Sequence, residues 1–307
     1  MSQPTRRDLL RALAAGTAAA FLSPLSAFAQ PFAPLTRSIP SSGESLPVVG
    51  LGTWITFNVG DDPELRDECT AVMKAFFREG GRLIDSSPMY GSSQQVVGYG
   101  LSKLERPSTL FCADKVWIGS GEEGPAQIEE SRSRWGIRRF DLLQVHNLLA
   151  WSDHLPKLLA MKRGGRLRYV GITTSEGRRH GEIEGIMRRE PIDFVQVSYN
   201  ALDRDVETRI LPLAQDRGIA VIVNRPFQQG SLIRHVARHR LPAWAADIGA
   251  TSWAQLLLKF IISHPAVTCV IPATTQVPHV IENVRSSSGP MPDAAIRARI
   301  ATHVAQL

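Results

Sequence analysis

Cysteine is scarce in these 307 residues: there are three, Cys69, Cys112 and Cys269. An odd number of thiols, far apart and without the short spacing of a metal knuckle, excludes a disulfide framework and a cysteine zinc site. No metal is expected. Aromatic residues make up only 7% of the chain, and no lysine or arginine run is interleaved with them, so nothing here would track a phosphate backbone and nucleic acid is not an expected partner. No apolar run reaches the roughly 20 residues that cross a bilayer well. A third glycine is missing after Gly50-Leu51-Gly52-Thr53-Trp54, so the first strand carries no dinucleotide fingerprint of the doubly wound folds.

What is present is a 43% hydrophobic chain, ample for a large core, with a net charge of +6. Two of those six units sit in the first 29 residues, which hold Arg6, Arg7, Arg11 and Asp8, and the remaining +4 is mild. Residues 5–11 form a basic region, 12–22 an apolar stretch rich in alanine, and Pro24 breaks it ahead of Ala27-Phe28-Ala29. A basic region, a short apolar core and a small-x-small site make an export signal, and Arg6-Arg7 resembles the twin-arginine type, with Leu9 where Phe is commoner. Residues 1–29 are therefore expected to be a leader cleaved after Ala29, an uncleaved membrane anchor being the alternative. That implies a periplasmic protein that meets the export machinery. Twin-arginine export moves folded proteins, which is compatible with a cofactor acquired in the cytoplasm.

Residues 30–47, rich in Pro, Ser and Gly, read as an extended arm or hairpin, and residues 48–307 as the fold proper. Apolar, β-branched runs recur at 48–54, 82–87, 109–116, 140–146, 168–173, 194–199, 220–226 and 267–272. Between them lie segments of helical spacing at 63–79, 92–104, 126–135, 155–163, 178–189, 206–217, 252–263 and 277–285, several stopped by glycine, as at Gly136 and Gly218. Eight βα units in about 240 residues predict a single-domain α/β (β/α)8 TIM barrel, with an extra C-terminal helix over 292–306. Length alone had left open two domains of about 150 residues each.

A barrel of this kind works at the C-terminal ends of its strands, so the residues that end them matter most. The second strand ends in Asp85 with Tyr90 five residues on, the third in Asp114-Lys115-Val116-Trp117, and the fourth in Gln144-Val145-His146-Asn147. Asp85, Tyr90, Lys115 and His146 would thus meet at one mouth.

In these features the chain resembles the aldo-keto reductase family over residues 37–284. The resemblance rests on the Asp-x4-Tyr, Lys and His strand ends, Gly50–Trp54, Gly171-Ile172-Thr173, and Ile271-Pro272 through Glu282-Asn283. It implies that Asp85, Tyr90, Lys115 and His146 form the catalytic tetrad of a carbonyl reductase. Hydride transfer to a carbonyl makes an alkoxide, which needs a positioned acid as charge develops. Tyrosine, with a pKa near 10, is too weak an acid unaided. Lys115, held as a cation by Asp85, is expected to lower the Tyr90 pKa, and His146 to polarise and orient the carbonyl oxygen.

The resemblance further implies a nicotinamide dinucleotide lying across the mouth. Thr173, Thr174 and Gln196 would hold its carboxamide, Arg225 would stack on its ring, and 226–232 and 272–283, including Pro226, Thr274, Thr275, His279, Glu282 and Asn283, would cover the rest. Here Thr173-Thr174 replaces the commoner Ser-Asn, and Arg225 a Tyr, although a guanidinium plane also stacks on a flat ring. NADPH-preferring relatives usually place Lys after Ile-Pro and Arg a few residues on, where this chain has Ala273 and His279. NADP is the expected cofactor, with NAD as the alternative.

Trp54, Trp117, Met89 and Asn147 are expected to line the substrate pocket, which suits an apolar or aromatic carbonyl. The loops after the fourth and seventh strands read as short, leaving the pocket open, and Lys103, Arg225 or Arg234 are the cations that could reach it. The protein is expected to act as a monomer on a small molecule. Two other functions compete: a dinucleotide-binding sensor with little turnover, and a Schiff-base lyase with Lys115 as nucleophile.

Overall fold

The computed structural model of the protein describes residues 33–307, so the expected leader over 1–29 lies outside the described residues. Eight strands run parallel in sequence order: β3 (Leu51–Gly52), β4 (Leu83–Asp85), β5 (Phe111–Val116), β6 (Leu142–His146), β7 (Tyr169–Thr173), β8 (Phe194–Ser198), β9 (Ala220–Asn224) and β10 (Val267–Val270). The sheet closes where the parallel bridges Val49↔Val270 and Gly52↔Ala273 join its two edges, supported by Gly50 N–H on Val270 O and Gly52 N–H on Pro272 O. The expected (β/α)8 barrel is therefore the fold. β3 is much shorter than the 48–54 run because its neighbour on the closing side is met through single bridges. Gly52 makes that approach feasible, since a Cβ there would lie 2.8 Å from the Ile271 carbonyl oxygen.

Seven helices cover the outside between strands and beyond: α1 (Pro63–Arg78), α2 (Ser93–Lys103), α3 (Gly124–Trp135), α4 (Trp151–Arg163), α5 (His180–Arg189), α6 (Ile210–Arg217) and α7 (Ser231–Val236). They are followed by α8 (Trp253–Ile262), α9 (Val277–Arg285) and the C-terminal α10 (Ala294–Ala305). Local chemistry sets several ends. Asp62 caps α1 by accepting from the Glu64 and Leu65 amides, and Gly136 stops α3 in the left-handed conformation at φ 62°. The expected helix over 206–217 is broken, with a 3-10 turn at Asp205–Glu207 ahead of α6. The connection after β9 corrects a second expectation: far from short, it runs over residues 225–252 and holds α7 and two 3-10 turns.

Alternation along the strands sorts their side chains into two sets. Leu83, Phe111, Ala113, Leu142, Tyr169, Phe194, Ala220, Ile222 and Cys269 pack together inside the barrel, while Ile84, Cys112, Leu143, Val170, Val195, Val221 and Val270 join the outer core under the helices. Inside, Tyr169 stacks on Phe111 at 5.8 Å and meets Phe194 edge-on at 5.5 Å. The hairpin of β1 (Thr36–Ser38) and β2 (Ser45–Pro47) adds Ile39 and Leu46 to this inner cluster. Its Glu44 accepts hydrogen bonds from Arg82 at 3.0 Å, Tyr169 at 2.8 Å and Arg168, which precede or begin β4 and β7. The hairpin thus seals the end at which the strands start. With that end apolar and closed, the polar residues gather at the other.

Candidate active site

Continuing the inward alternation upward gives Asp85 after Leu83, Lys115 after Phe111 and Ala113, and Gln144 and His146 after Leu142. It gives Thr173, Gln196 and Asn224 on β7, β8 and β9 by the same count. The register places Lys115 opposite Gln144, His146 opposite Thr173, and Thr173 opposite Gln196. An apolar barrel therefore carries a polar top layer.

At its centre Lys115 and Asp85 are fully buried, with Lys115 Nζ 2.5 Å from Asp85 Oδ2 and 2.7 Å from the Ser86 carbonyl oxygen. The other carboxylate oxygen of Asp85 accepts from Gln196 Nε2 at 2.9 Å and Gln144 Nε2 at 3.4 Å. Gln196 Oε1 in turn accepts from the Thr173 hydroxyl at 3.0 Å. Tyr90 rides on the turn after β4, half-buried, its ring edge-on to His146 at 5.6 Å and 5.1 Å from the Lys115 ammonium. His146 Nδ1 lies 2.7 Å from Ser87 Oγ. The four residues expected to meet do meet.

The electrostatics correct one expectation. Burial pushes the Tyr90 hydroxyl above the ordinary tyrosine value, outweighing the downward pull of Lys115, with Asp85 adding to the push. Tyr90 is therefore a protonated phenol at neutral pH. Burial alone would depress Lys115, but the negative charge of Asp85, with Tyr90 beside it, outweighs that and keeps the ammonium above its ordinary value. Burial, then the Lys115 charge, holds His146 well below its usual range, so its imidazole is neutral.

Above this layer opens a cavity of about 340 Å³, at the small end of ligand sites. Its walls include Trp54, Met89, Tyr90, His146 and Asn147, together with Thr173, Thr174, Gln196, Arg225 and Pro226. Thr174 Oγ1 is buried without a hydrogen-bond partner, a polar atom able to serve an amide or similar ligand group. Thr274, Thr275, His279, Glu282 and Asn283 lie outside this lining: Thr275 and His279 are exposed, and Asn283 is buried in α9. Trp117 does not line the cavity either. It is 38% exposed, with its backbone held by the Gln127 amide at 2.7 and 2.8 Å. Lys103 is committed to Asp67 at 2.6 Å, and Arg234 lies on α7 outside the lining.

Several contributors escaped the sequence reading. Arg178 lines the cavity and, like Arg225, pairs with Glu176, at 2.6 and 2.5 Å. The Arg225 guanidinium also sits 5.5 Å over the Trp54 ring. These contacts join loops after β3, β7 and β9, and no spacing in the chain announces them. Gln144 had a readable signal: it stands two residues before His146 on the same strand, hence on the same face. Ile55, 60% exposed at φ 63°, adds an apolar edge.

Comparison with known proteins agrees with this geometry. The profile of the aldo/keto reductase family matches residues 48–301. Methylglyoxal reductase YeaE of Escherichia coli (strain K12) is 27% identical over 253 residues, 80% of this chain and 88% of that protein. The NADH-specific methylglyoxal reductase of the same organism is 29% identical over 234 residues, 64% of this chain and 68% of that one. The aldo/keto reductase of Klebsiella pneumoniae, solved with NADP and acetate, superposes with a TM-score of 0.72 at 23% identity, covering 85% of this chain and 93% of that one. With an eight-stranded parallel barrel, a tyrosine, lysine, histidine and aspartate gathered at its polar end, and a family profile spanning nearly all the described residues, this chain belongs to the aldo/keto reductase family.

Proposed function

We propose that the protein reduces an aldehyde or ketone to the alcohol at the expense of a nicotinamide dinucleotide, with Tyr90 as proton donor. The observation that carries this is the meeting of Tyr90 and His146 on one cavity directly over the buried Lys115–Asp85 pair. Tyr90, kept protonated by burial, holds the proton that the developing alkoxide takes. His146, neutral, orients the carbonyl oxygen by hydrogen bonding. Lys115 stabilises the tyrosinate left behind, and Asp85 keeps Lys115 charged and immobile.

The dinucleotide supplies the hydride equivalent. Thr173, Thr174 and Gln196 take its carboxamide, for which the unpartnered Thr174 hydroxyl is suited, and Arg225 and Pro226 form the wall beside its ring. Thr274, Thr275, His279, Glu282 and Asn283 serve the adenosine half, with NADP favoured and NAD accepted; one relative is named as NADH-specific. Trp54, Met89, Ile55 and Asn147 receive the substrate. The cations at the mouth, Arg178 and Arg225, are both engaged by Glu176, which favours an uncharged carbonyl over a carboxylate. Two relatives named as methylglyoxal reductases fit a small substrate of that kind.

The lyase alternative asks Lys115 to attack a substrate, but its ammonium is buried, doubly hydrogen-bonded and held charged. The sensor alternative leaves the assembled tetrad without a purpose. Export through residues 1–29 belongs to the same proposal, supported by Arg6-Arg7 and the Ala27-Phe28-Ala29 site, and is tested by N-terminal sequencing of the protein from a periplasmic fraction. For the chemistry, Tyr90→Phe should lower kcat on a carbonyl panel by at least about 100-fold while NADPH binding, read by fluorescence, is kept. Unchanged turnover would refute the role of Tyr90, and a wild type that binds NADPH yet reduces nothing would favour the sensor.

A further inference from the structure

We infer that Ser87 is a positioning residue that fixes His146 in the tautomer with its proton on Nε2. The inference rests on the reductase reading, and it concerns a hydroxyl to which that reading gives no role.

Ser87 follows β4 in Asp85-Ser86-Ser87-Pro88-Met89-Tyr90 and is fully buried; His146 is buried beside it. The Ser87 hydroxyl has two polar neighbours: the Met89 amide, 3.2 Å away, and His146 Nδ1, 2.7 Å away. An amide N–H can only donate, so the Met89 contact occupies a lone pair of Ser87 Oγ and offers nothing for the Ser87 proton. The one acceptor within reach is His146 Nδ1. Were Nδ1 protonated instead, it would donate to Ser87, and the Ser87 proton would be left buried without a partner, which costs free energy. Met89 N–H to Ser87 Oγ–H to His146 Nδ1 is thus the arrangement that satisfies every group.

The consequence falls at the opposite corner of the ring. A neutral imidazole carries one proton, and with Nδ1 accepting, that proton is on Nε2. His146 lines the cavity, so Nε2–H is its donor for a carbonyl oxygen. The other tautomer would present a lone pair there and repel the oxygen. Pro88 contributes by leaving Met89 as the first free amide after Ser87, and the Met89 side chain lies at the cavity rim, so the relay runs from the substrate-facing turn to the ring.

The test combines tautomer and turnover. Long-range proton–nitrogen correlation spectra of 15N-histidine-labelled protein, with the His146 signals assigned by their loss in His146→Asn, should show the Nε2–H form in the wild type. Ser87→Ala, which removes the hydroxyl without changing volume much, should lose that single form and lower kcat about tenfold, with the NADPH Kd within twofold of the wild type. A wild type with Nδ1 protonated or with both forms overturns the inference. So does a Ser87→Ala protein that keeps either the Nε2–H form or the wild-type kcat. Absence of carbonyl reduction in the wild type would strike at the reductase reading alone, because the spectra judge Ser87 without turnover.

Discussion

Gln196 ties Asp85 to the wall of the cleft on which Thr173 stands: its Nε2 donates to Asp85 Oδ1 at 2.9 Å while its Oε1 accepts from the Thr173 hydroxyl at 3.0 Å. One amide thus braces the buried ion pair while its residue lines the cleft. Gln196→Leu leaves Asp85 Oδ1 with the longer Gln144 contact alone. Losing a hydrogen bond to a buried charge costs about 1.5–3 kcal/mol, so urea unfolding should show that loss. On the proposed function the same amide also serves the dinucleotide, so NADPH Kd should rise about tenfold, the equivalent of about 1.4 kcal/mol. A Kd equal to the wild-type value would mean that Gln196 is purely a brace.

Reduction should be insensitive to pH over an unusually wide interval. The active form has Tyr90 protonated and His146 neutral. Tyr90 is pushed above its ordinary value near 10 by burial first, so the phenol persists through the neutral and mildly alkaline range. His146 is pushed well below its usual 6.5 by burial and then by Lys115, so it gains no proton until the solution is distinctly acid. The reduced nicotinamide ring is neutral and brings no positive charge to Tyr90 to reverse this. The kcat/KM for a carbonyl should therefore stay on its plateau across the whole interval between the ordinary histidine and tyrosine values, about pH 6.5 to about pH 10, and fall only beyond it on either side. A fall between pH 7 and pH 9 would show that Lys115 dominates burial at Tyr90, as the sequence alone suggested.

The barrel and the strand-end residues Asp85, Lys115 and His146 were legible because they follow from periodicity, whereas Tyr90, on the turn after β4, was singled out by the family resemblance. Once the run from Phe111 to Val116 is a strand with Phe111 inside, Lys115 must be inside and Asp114 outside, whatever the loops do. The same count puts His146 and Thr173 at the mouth. Ser87 was not legible, because its partner His146 is remote in sequence and a serine before a proline reads first as turn chemistry. Nor were Arg178 and Glu176, whose meeting with Arg225 depends on loop paths that no local pattern encodes. Trp117 shows the opposite failure. Its position two residues past Lys115 suggested the site, but the chain leaves the strand at Val116 and turns the residue outward. The sign of the Tyr90 shift needed burial as well as charge, and only the folded protein supplies burial.

Asp114, on the outward face of β5, makes folding stability fall as pH rises. It is fully buried, its Oδ2 taking a hydrogen bond from Gln94 at 2.9 Å and its Oδ1 one from the Lys115 amide at 2.7 Å. Burial raises its pKa to about 7 from the ordinary 3.8, against the downward pull of Lys115. A folded pKa above the unfolded one means that the native state binds the proton more tightly, so the contribution of Asp114 to stability is fully present below about pH 4 and is lost as pH climbs to about 7. Asp114→Asn has no carboxyl to ionise and carries no such pH-dependent penalty. Its unfolding free energy relative to the wild type should improve by about 3 kcal/mol between pH 5 and pH 8, at 1.36 kcal/mol per pH unit up to pH 7. A constant difference across that range would mean that Asp114 is ionised throughout.

Ala273 and His279 should decide the choice between NADPH and NADH. Both are exposed, Ala273 as the partner of Gly52 in the bridge that closes the barrel and His279 in the first turn of α9, with Thr274 Oγ1 3.5 Å from His279 Nδ1. Neither supplies a permanent positive charge for an adenosine 2′-phosphate, which distinguishes NADPH from NADH by about two negative charges. Ala273→Lys and His279→Arg each add one cation, and Arg can bind phosphate with two parallel hydrogen bonds where Lys acts as a point charge. The gain is limited by solvent, because exposed ion pairs contribute about 1 kcal/mol or less and are screened by salt. Each variant should therefore tighten NADPH by up to about fivefold at low salt and the pair together by more, with NADH unchanged. Raising the salt to about 1 M, where the screening length shrinks to about 3 Å, should erase most of that gain. Titrations in which both dinucleotides respond alike would place the 2′-phosphate away from these two positions and leave Thr275 and the start of α9 as the groups that meet it.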